Sequence, residues 1–306
     1  MDIRDASLTA LRVLRAVAES GTFTAAAAAL GYTQSAVSRQ IASLEHAAGS
    51  SLLERHREGA RLTTAGRTLL RRAIVVLDEM DAAARELSGA SAEAATVRVG
   101  WLPAAGASLL PRALTELRRT DPEITVVSRE GLTPALVRAL RAGSVDLAVL
   151  ASAPPFRPPD TESPPLVLTT LAERGLRLAL PAGHPLAHGT YVDIADLRGR
   201  QWIAGPPGED RHMGVWPGLD ERPHVTHTAR DWLAKLQLVA AGAGLTTVSV
   251  LHSGVAPPGV KILPVRGGPQ ELRRLLLARL PECPADAVLR VAEALRTAAL
   301  ADDGAP

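Results

Sequence analysis

Hydrophobic and polar positions follow two different rhythms along the chain, and the change near residue 96 divides it. From the N-terminus to about residue 65 the apolar positions recur at helical spacing, in short runs broken by Ser20-Gly21, Gly31-Tyr32 and Gly49-Ser50. The stretch Thr22 to Leu30 predicts a helix capped by Thr22, whose hydroxyl can accept an otherwise unpaired backbone N–H. Its interior is five consecutive alanines, Ala25 to Ala29, with Phe23 and Leu30 near the ends. Alanine is the best helix former, and its methyl group lets a neighbouring backbone come close. Gly31 ends this helix and Thr33 caps the next, leaving a turn of helix-turn-helix length. In the second helix Val37, Ile41 and Leu44 fall at i, i+4 and i+7, a buried stripe. Ser35, Ser38, Arg39 and Ala42 share a different face, with Gln34 in the exposed first turn. No strong strand pattern precedes Ala60 to Thr63, which reads as a strand after Arg57-Glu58-Gly59.

Thr64 to Leu87 is one long segment without proline. Leu70, Ala73, Leu77, Met80, Ala84 and Leu87 repeat at alternating spacings of three and four, as a two-helix seam does. An amphipathic helix lying on its own domain shows nearly the same spacing. Self-pairing is the expectation for a segment about 36 Å long at 1.5 Å per residue. The small, polar run from 88 to 96 reads as a linker.

Beyond Thr96, apolar strands alternate with amphipathic helices, which implies parallel sheet with helices on its faces. The strands Val97 to Leu102, Ile124 to Glu130 and Val145 to Ser152 are separated by helices at Ser108 to Thr120 and Thr133 to Gly143. A proline-rich crossing at 153–165 leads to a second set of strands. A return near Lys261 to Pro269 leads to Arg273 to Leu280 and a last helix, Pro284 to Leu300. The tail 301–306 reads as disordered.

Composition changes this picture little. The 306 residues are 46% hydrophobic and 22% charged, values of a soluble globular protein long enough for more than one domain. The net charge of +2 does not announce a nucleic-acid binder. Through Ala65, seven arginines stand against six acidic residues, so any such role rests on local pattern. The single cysteine, Cys283, excludes an intrachain disulfide or a cysteine-based metal cluster and suits a reducing compartment. With neither a signal-like start nor an apolar run near the ~20 residues that span a bilayer, the expectation is a cytoplasmic protein without membrane attachment.

The candidate chemistry lies on the second short helix. Its Ser35, Ser38 and Arg39 face is short-chained and hydrogen-bonding, as a helix in a DNA major groove requires. Gln34 can pair with adenine, Arg39 with guanine or a phosphate, and the serines with base edges or phosphates. Arg57 and Arg61, flanking the strand-like turn, would meet the sugar-phosphate backbone. On periodicity alone an ordinary helical hairpin with a solvated face is an equal reading.

The longer motif separates the two. Residues 8 to 73, with GTFTAAAAALGYTQSAVSRQIASLEHAAGSSLLER and RLTTAG, resemble the winged helix-turn-helix of LysR-type transcriptional regulators. Thr33 in place of serine and Leu53 in place of phenylalanine are mild departures. In the second region SLLPRAL, LRAGSVDLAVL, LPAGHPLA and LVAAGAGL resemble, in that order, the regulatory domain of the same family.

The resemblance implies an α/β architecture with three parts. These are a winged helix-turn-helix at 1–65, a linker and dimerisation helix at 66–90, and a two-lobed effector domain at 91–306 like the type 2 periplasmic binding proteins. Lobe I would take about 96–164 and 268–300, and lobe II about 165–267. The DNA-binding set is Thr33, Gln34, Ser35, Ser38, Arg39, Arg57 and Arg61. The effector cleft would be lined by Trp101, Leu102, Pro103, Ala104, Thr133, Ala204, Gly205, Thr246 and Thr247. Relatives often place the Thr133 hydroxyl against an effector carboxylate, whereas Ala104 lacks the hydroxyl frequent at its position. The implied partners are double-stranded DNA with an inverted-repeat operator, a small-molecule effector with an anion as a candidate, further copies of the chain as dimers commonly paired into tetramers, and RNA polymerase if the protein activates.

Other motifs carry less. His224 and His227 would face opposite sides of a strand without a third ligand, and the glycines of GAGL at 242–245 lack the lysine of a phosphate loop. Neither a catalytic set, a metal site nor a cofactor is expected. The competing class is a solute-binding or enzymatic α/β protein whose N-terminal helices only dimerise it. The two differ at Gln34, Ser38 and Arg39, which only a regulator needs on its outer surface.

Overall fold

The computed structural model describes residues 3–56, 59–87, 95–106, 108–205, 214–219, 222–249, 256–268, 272–282 and 284–301. After a single 3-10 turn at Ile3–Asp5 come three α-helices: α1 (Leu8–Ser20), α2 (Phe23–Leu30) and α3 (Gln34–Ala48). An antiparallel pair follows, β1 (Leu53–His56) and β2 (Gly59–Leu62), and then the long α4 (Thr64–Leu87). One apolar core joins α1, α2, α3 and the first half of α4 through Val13, Leu14, Val17, Val37, Ile41, Leu44, Leu70 and Leu77. The N-terminal domain therefore extends past residue 65 into α4. β1 had no signature in sequence, because four residues reading Leu-Glu-Arg-His are too short and too polar to alternate.

The second region runs β3 (Thr96–Trp101), α5 (Pro103–Gly106), α6 (Leu109–Thr120), β4 (Thr125–Glu130), α7 (Thr133–Arg141), β5 (Leu147–Ser152) and β6 (Val167–Pro181). It continues through β7 (Val192–Asp193), β8 (Gln201–Ala204), β9 (His224–Thr228), α8 (Trp232–Ala240), β10 (Thr246–Ser249), β11 (Val260–Leu263) and β12 (Val265–Arg266). β13 (Leu272–Arg279) and α9 (Asp286–Ala301) complete it.

β3 pairs in parallel with β4 and β5, while β13 runs antiparallel between β5 and β6. The strand period decides which helix covers which face. Leu147 and Val149 of β5 face a core shared with α6 and α9, and Ala148 and Leu150 face α7.

The sheet corrects the expected crossing. β6 does not begin lobe II: its first half, Val167 to Gly175, pairs with β13, and Leu171 and Ala172 lie in the lobe I core. Its second half pairs with β10 and β11, and Leu176, Leu178 and Leu180 enter the lobe II core with Trp202, Trp216 and Leu245. The chain thus passes between lobes within β6, near Leu176, well beyond the prolines that end at Pro165. A proline marks where a strand starts, not which sheet it joins.

Candidate functional site

The helix-turn-helix is built by short-range hydrogen bonds. Thr22 Oγ1 accepts from Ala25 N–H at 3.1 Å, α2 closes at Gly31 (φ +68°), and Thr33 Oγ1 accepts from Ala36 N–H at 3.2 Å to start α3. Of the five alanines only Ala26 and Ala27 are buried, and these two methyl groups allow the close packing of α2 into the core. Val37, Ile41 and Leu44 fix α3 from below. Thr33, Gln34, Ser35 and Arg39 are exposed and Ser38 is half-buried. Burial on one side of α3 and polar exposure on the other leave this helix presenting Gln34, Ser35 and Arg39 outward.

Glu45 near the end of α3 shapes the approach to the wing. Its Oε1 accepts from the backbone N–H groups of Leu52 (2.7 Å) and Leu53 (3.1 Å) and from Ser51 Oγ (3.2 Å). The wing is also tied to the α1–α2 turn, where Ala60 N–H donates to Gly21 O at 2.7 Å. At neighbouring Gly59 (φ +138°) a Cβ would stand 2.3 Å from the same oxygen, so this position requires glycine. Arg61 is exposed on β2, opposite Glu54, and Arg57 lies outside the described residues.

On α4 the six expected seam residues divide. Leu70, Ala73 and Leu77 are buried in the domain's own core, the alternative that the same spacing allows, and are unavailable to a partner. Met80, Ala84 and Leu87 are exposed. The exposed apolar side chains Val76, Met80, Ala83 and Leu87 form a different stripe at spacings of four, three and four.

The expected cleft residues form one group in each lobe. In lobe I, Trp101 ends β3, with buried Leu102 after it and Pro103 and Ala104 in α5. The Trp101 carbonyl accepts from Gly131 N–H at 2.9 Å, which brings the start of α7 beside it. The Trp101 indole N–H is buried without an acceptor among the described residues. Thr133 Oγ1 accepts from Ala151 N–H at 3.2 Å, pinning the N-terminus of α7 to the end of β5. In lobe II, Thr246 is buried and its Oγ1 donates to Ile203 O (2.8 Å), with Gly214 O at 3.3 Å. Its hydroxyl proton is thereby committed to the protein. Ala204 is buried, and Gly205 and Thr247 are half-buried beside it.

Sequence reasoning passed over Lys235. It is 6% exposed on α8, and burial lowers its pKa against the opposing influence of Asp231. α8 starts four residues after β9 ends, where Ala229 N–H donates to Ala204 O at 3.0 Å. Lys235 therefore lies one turn into α8, with its backbone N–H donating to Asp231 O at 3.2 Å. Its isolation in an apolar stretch of sequence was the available signal. Cys283 lies outside the described residues, as do linker residues 88–94 and the tail 302–306. His224 and His227 are exposed on β9. Among the described residues no cluster of three metal-ligating side chains occurs, and no helix is long and apolar enough to cross a membrane.

Comparison with known proteins covers both regions. Residues 8–67 match the family described as bacterial regulatory helix-turn-helix protein, lysR family, and residues 90–300 match the LysR substrate binding domain. The chain is 34% identical over 291 residues to a small neutral protease regulatory protein of Streptomyces coelicolor, covering 90% of this chain and 87% of that one. It is 31% identical over 258 residues to a hydrogen peroxide-inducible genes activator of Pectobacterium carotovorum subsp. carotovorum, covering 82% and 80%. Among solved structures, a full-length OxyR variant from Pseudomonas aeruginosa shares the fold with a TM-score of 0.62 at 24% identity, covering 96% of this chain and 94% of that one. Full-length CbnR complexed with its target DNA matches with a TM-score of 0.54 at 25% identity, covering 96% and 99%.

Proposed function

Since the chain belongs to the LysR family of DNA-binding transcriptional regulators, we propose that it works in the cytoplasm as a homodimer, paired into tetramers, that reads an inverted-repeat operator and answers to a small anionic effector. The observation that carries this reading is the orientation of α3. Its apolar stripe is buried, and Gln34, Ser35 and Arg39 face outward beside an antiparallel wing. A helix presented in this way fits a major groove, and Arg61 on β2 is placed for the adjoining backbone.

The dimer is assigned to the exposed α4 stripe of Val76, Met80, Ala83 and Leu87. Two copies joined there hold two reading helices at a fixed spacing, and a two-fold protein calls for a two-fold operator.

The effector is assigned to the cleft between the lobes, against Trp101 to Ala104, Thr133, Ala204, Gly205 and Thr247. Thr246 takes a supporting role through its bond to Ile203. A small carboxylate is the ligand class that Thr133, at the N-terminus of α7, is suited to meet. Relatives named for hydrogen peroxide induction suggest a redox signal, but a chain with the single cysteine Cys283 forms no disulfide within itself. A reversibly bound small molecule, in place of an intrachain disulfide, is therefore the assignment.

A band-shift titration with the DNA upstream of the protein's own gene, repeated at several salt concentrations, tests the reading. A regulator binds that fragment tightly, with affinity falling steeply as salt rises. Binding no tighter than to unrelated DNA would favour the solute-binding or enzymatic alternative.

A further inference from the structure

The DNA-binding domain is fastened to lobe I at the C-terminal end of α7. The carboxylate of Glu19, on the last turn of α1, accepts hydrogen bonds from Arg129 and Ser144. Its backbone carbonyl accepts from Arg138 Nε at 2.9 Å. One turn earlier, Arg15 Nη2 donates to Gly143 O at 2.9 Å. On α4, Asp78 pairs with Arg98 at 3.1 Å, and Arg98 also holds Asp146 at 2.8 Å. Gly143 (φ +61°) lies so close to α4 that a Cβ there would stand 2.6 Å from Ile74 Cγ2. The charged groups alternate in sign across the seam, and most are partly withdrawn from water, with Arg15 18% and Glu19 28% exposed.

This seam adjoins the part of the DNA-binding domain that positions the wing. Gly21, two residues after Glu19, accepts the Ala60 N–H that anchors β2. At its other end α7 begins with Thr133, whose hydroxyl takes the Ala151 N–H in the proposed effector cleft. Nine residues, about 13 Å of helix, separate the two ends. A helix of that length moves as a rigid body, so displacement at one end is displacement at the other. Arg141, its last residue, also grips Asp160 and the carbonyls of Glu162 and Pro164, on the approach to β6.

We propose that α7 is the coupling rod of this regulator, joining the effector cleft at Thr133 to the DNA-binding domain through a latch in which Glu19 and Arg15 of α1 are held by Arg129, Arg138, Gly143 and Ser144. The proposal rests on the cleft reading above. In the free protein the latch fixes the attitude of α1, and with it the wing, relative to lobe I. Linkage makes the coupling reciprocal: what the cleft does to the DNA-binding domain, DNA binding does to the cleft.

That reciprocity allows a test without the effector. Hydrogen exchange is followed in the full chain and in the double variant Arg138→Gln/Ser144→Ala, which alters lobe I only. Without DNA, the variant should exchange the amides of residues 17–22 and Ala60 at least about tenfold faster than wild type, with the β5 core unchanged. Equal rates would overturn the latch. The same DNA fragment used in the band shift is then added. In wild type it should change the exchange of the Ala151 amide, the reporter on Thr133, and in the variant it should bind without that change. The same Ala151 response in both proteins, or none in wild type, would overturn the coupling. If neither protein binds the fragment, the regulator reading fails, and the DNA-free rates still decide the latch. The single variant Arg138→Lys, which keeps a long cationic donor for Glu19 O where Gln offers a shorter neutral one, should exchange more slowly than the single variant Arg138→Gln. Equal exchange in Arg138→Lys and Arg138→Gln would count against that bond.

Discussion

Arg39 is an exposed cation two residues after the fully buried Val37, on a helix whose buried stripe leaves it no freedom to roll. Arg39→Ala should weaken operator binding by about 1 to 3 kcal/mol if the guanidinium reads a base, roughly 5- to 150-fold, and relax preference at one position of the site. A uniform loss across all sequences would make it a phosphate contact. Thr133→Ala removes the hydroxyl that links α7 to β5. In a promoter reporter screened with a panel of small carboxylic acids, the variant should lose induction while its DNA affinity in band shifts stays at the wild-type level. Unchanged induction would remove Thr133 from the effector site. At this scale the sequence was informative wherever a residue's role follows from its neighbours in the chain, as with Thr22, Thr33 and the stripe on α3. It was silent on Glu19 and Glu45, whose roles depend on partners brought to them by folding. Lys235 is the converse, conspicuous in sequence but given a place only by the packing of α8.

α4 shows what periodicity can and cannot resolve. Over six turns a helix with apolar residues on two faces satisfies a heptad pattern in more than one register, because 3.5 and 3.6 residues per turn diverge by only about 20° per heptad. The expected seam took its N-terminal half from the inward face and its C-terminal half from the outward one. Burial separates them: Leu70 and Leu77 are 1% exposed, whereas Met80 is 46% and Leu87 90% exposed. Met80→Glu, a charge placed in the outward stripe, should shift the protein from dimer toward monomer in sedimentation equilibrium. The N-terminal domain should keep its thermal stability to within about 0.5 kcal/mol, as for other surface substitutions. A dimer that persists would show that the stripe is not the interface.

In the whole molecule, alternating strands and helices made the two-lobed α/β region legible, since each helix must cover a sheet face and each face needs alternating apolar residues. The lobe boundary was not legible, because local pattern shows that β6 is a strand but not which strands flank it. β6 has no break where the lobes meet: Gly175 pairs with Leu272 in the first, and Leu176 with Ser249 in the second. Melting either lobe would strip a ladder from a strand that the other also needs. The lobes should therefore unfold together as one cooperative unit, and opening of the cleft must be absorbed as torsion along an unbroken strand.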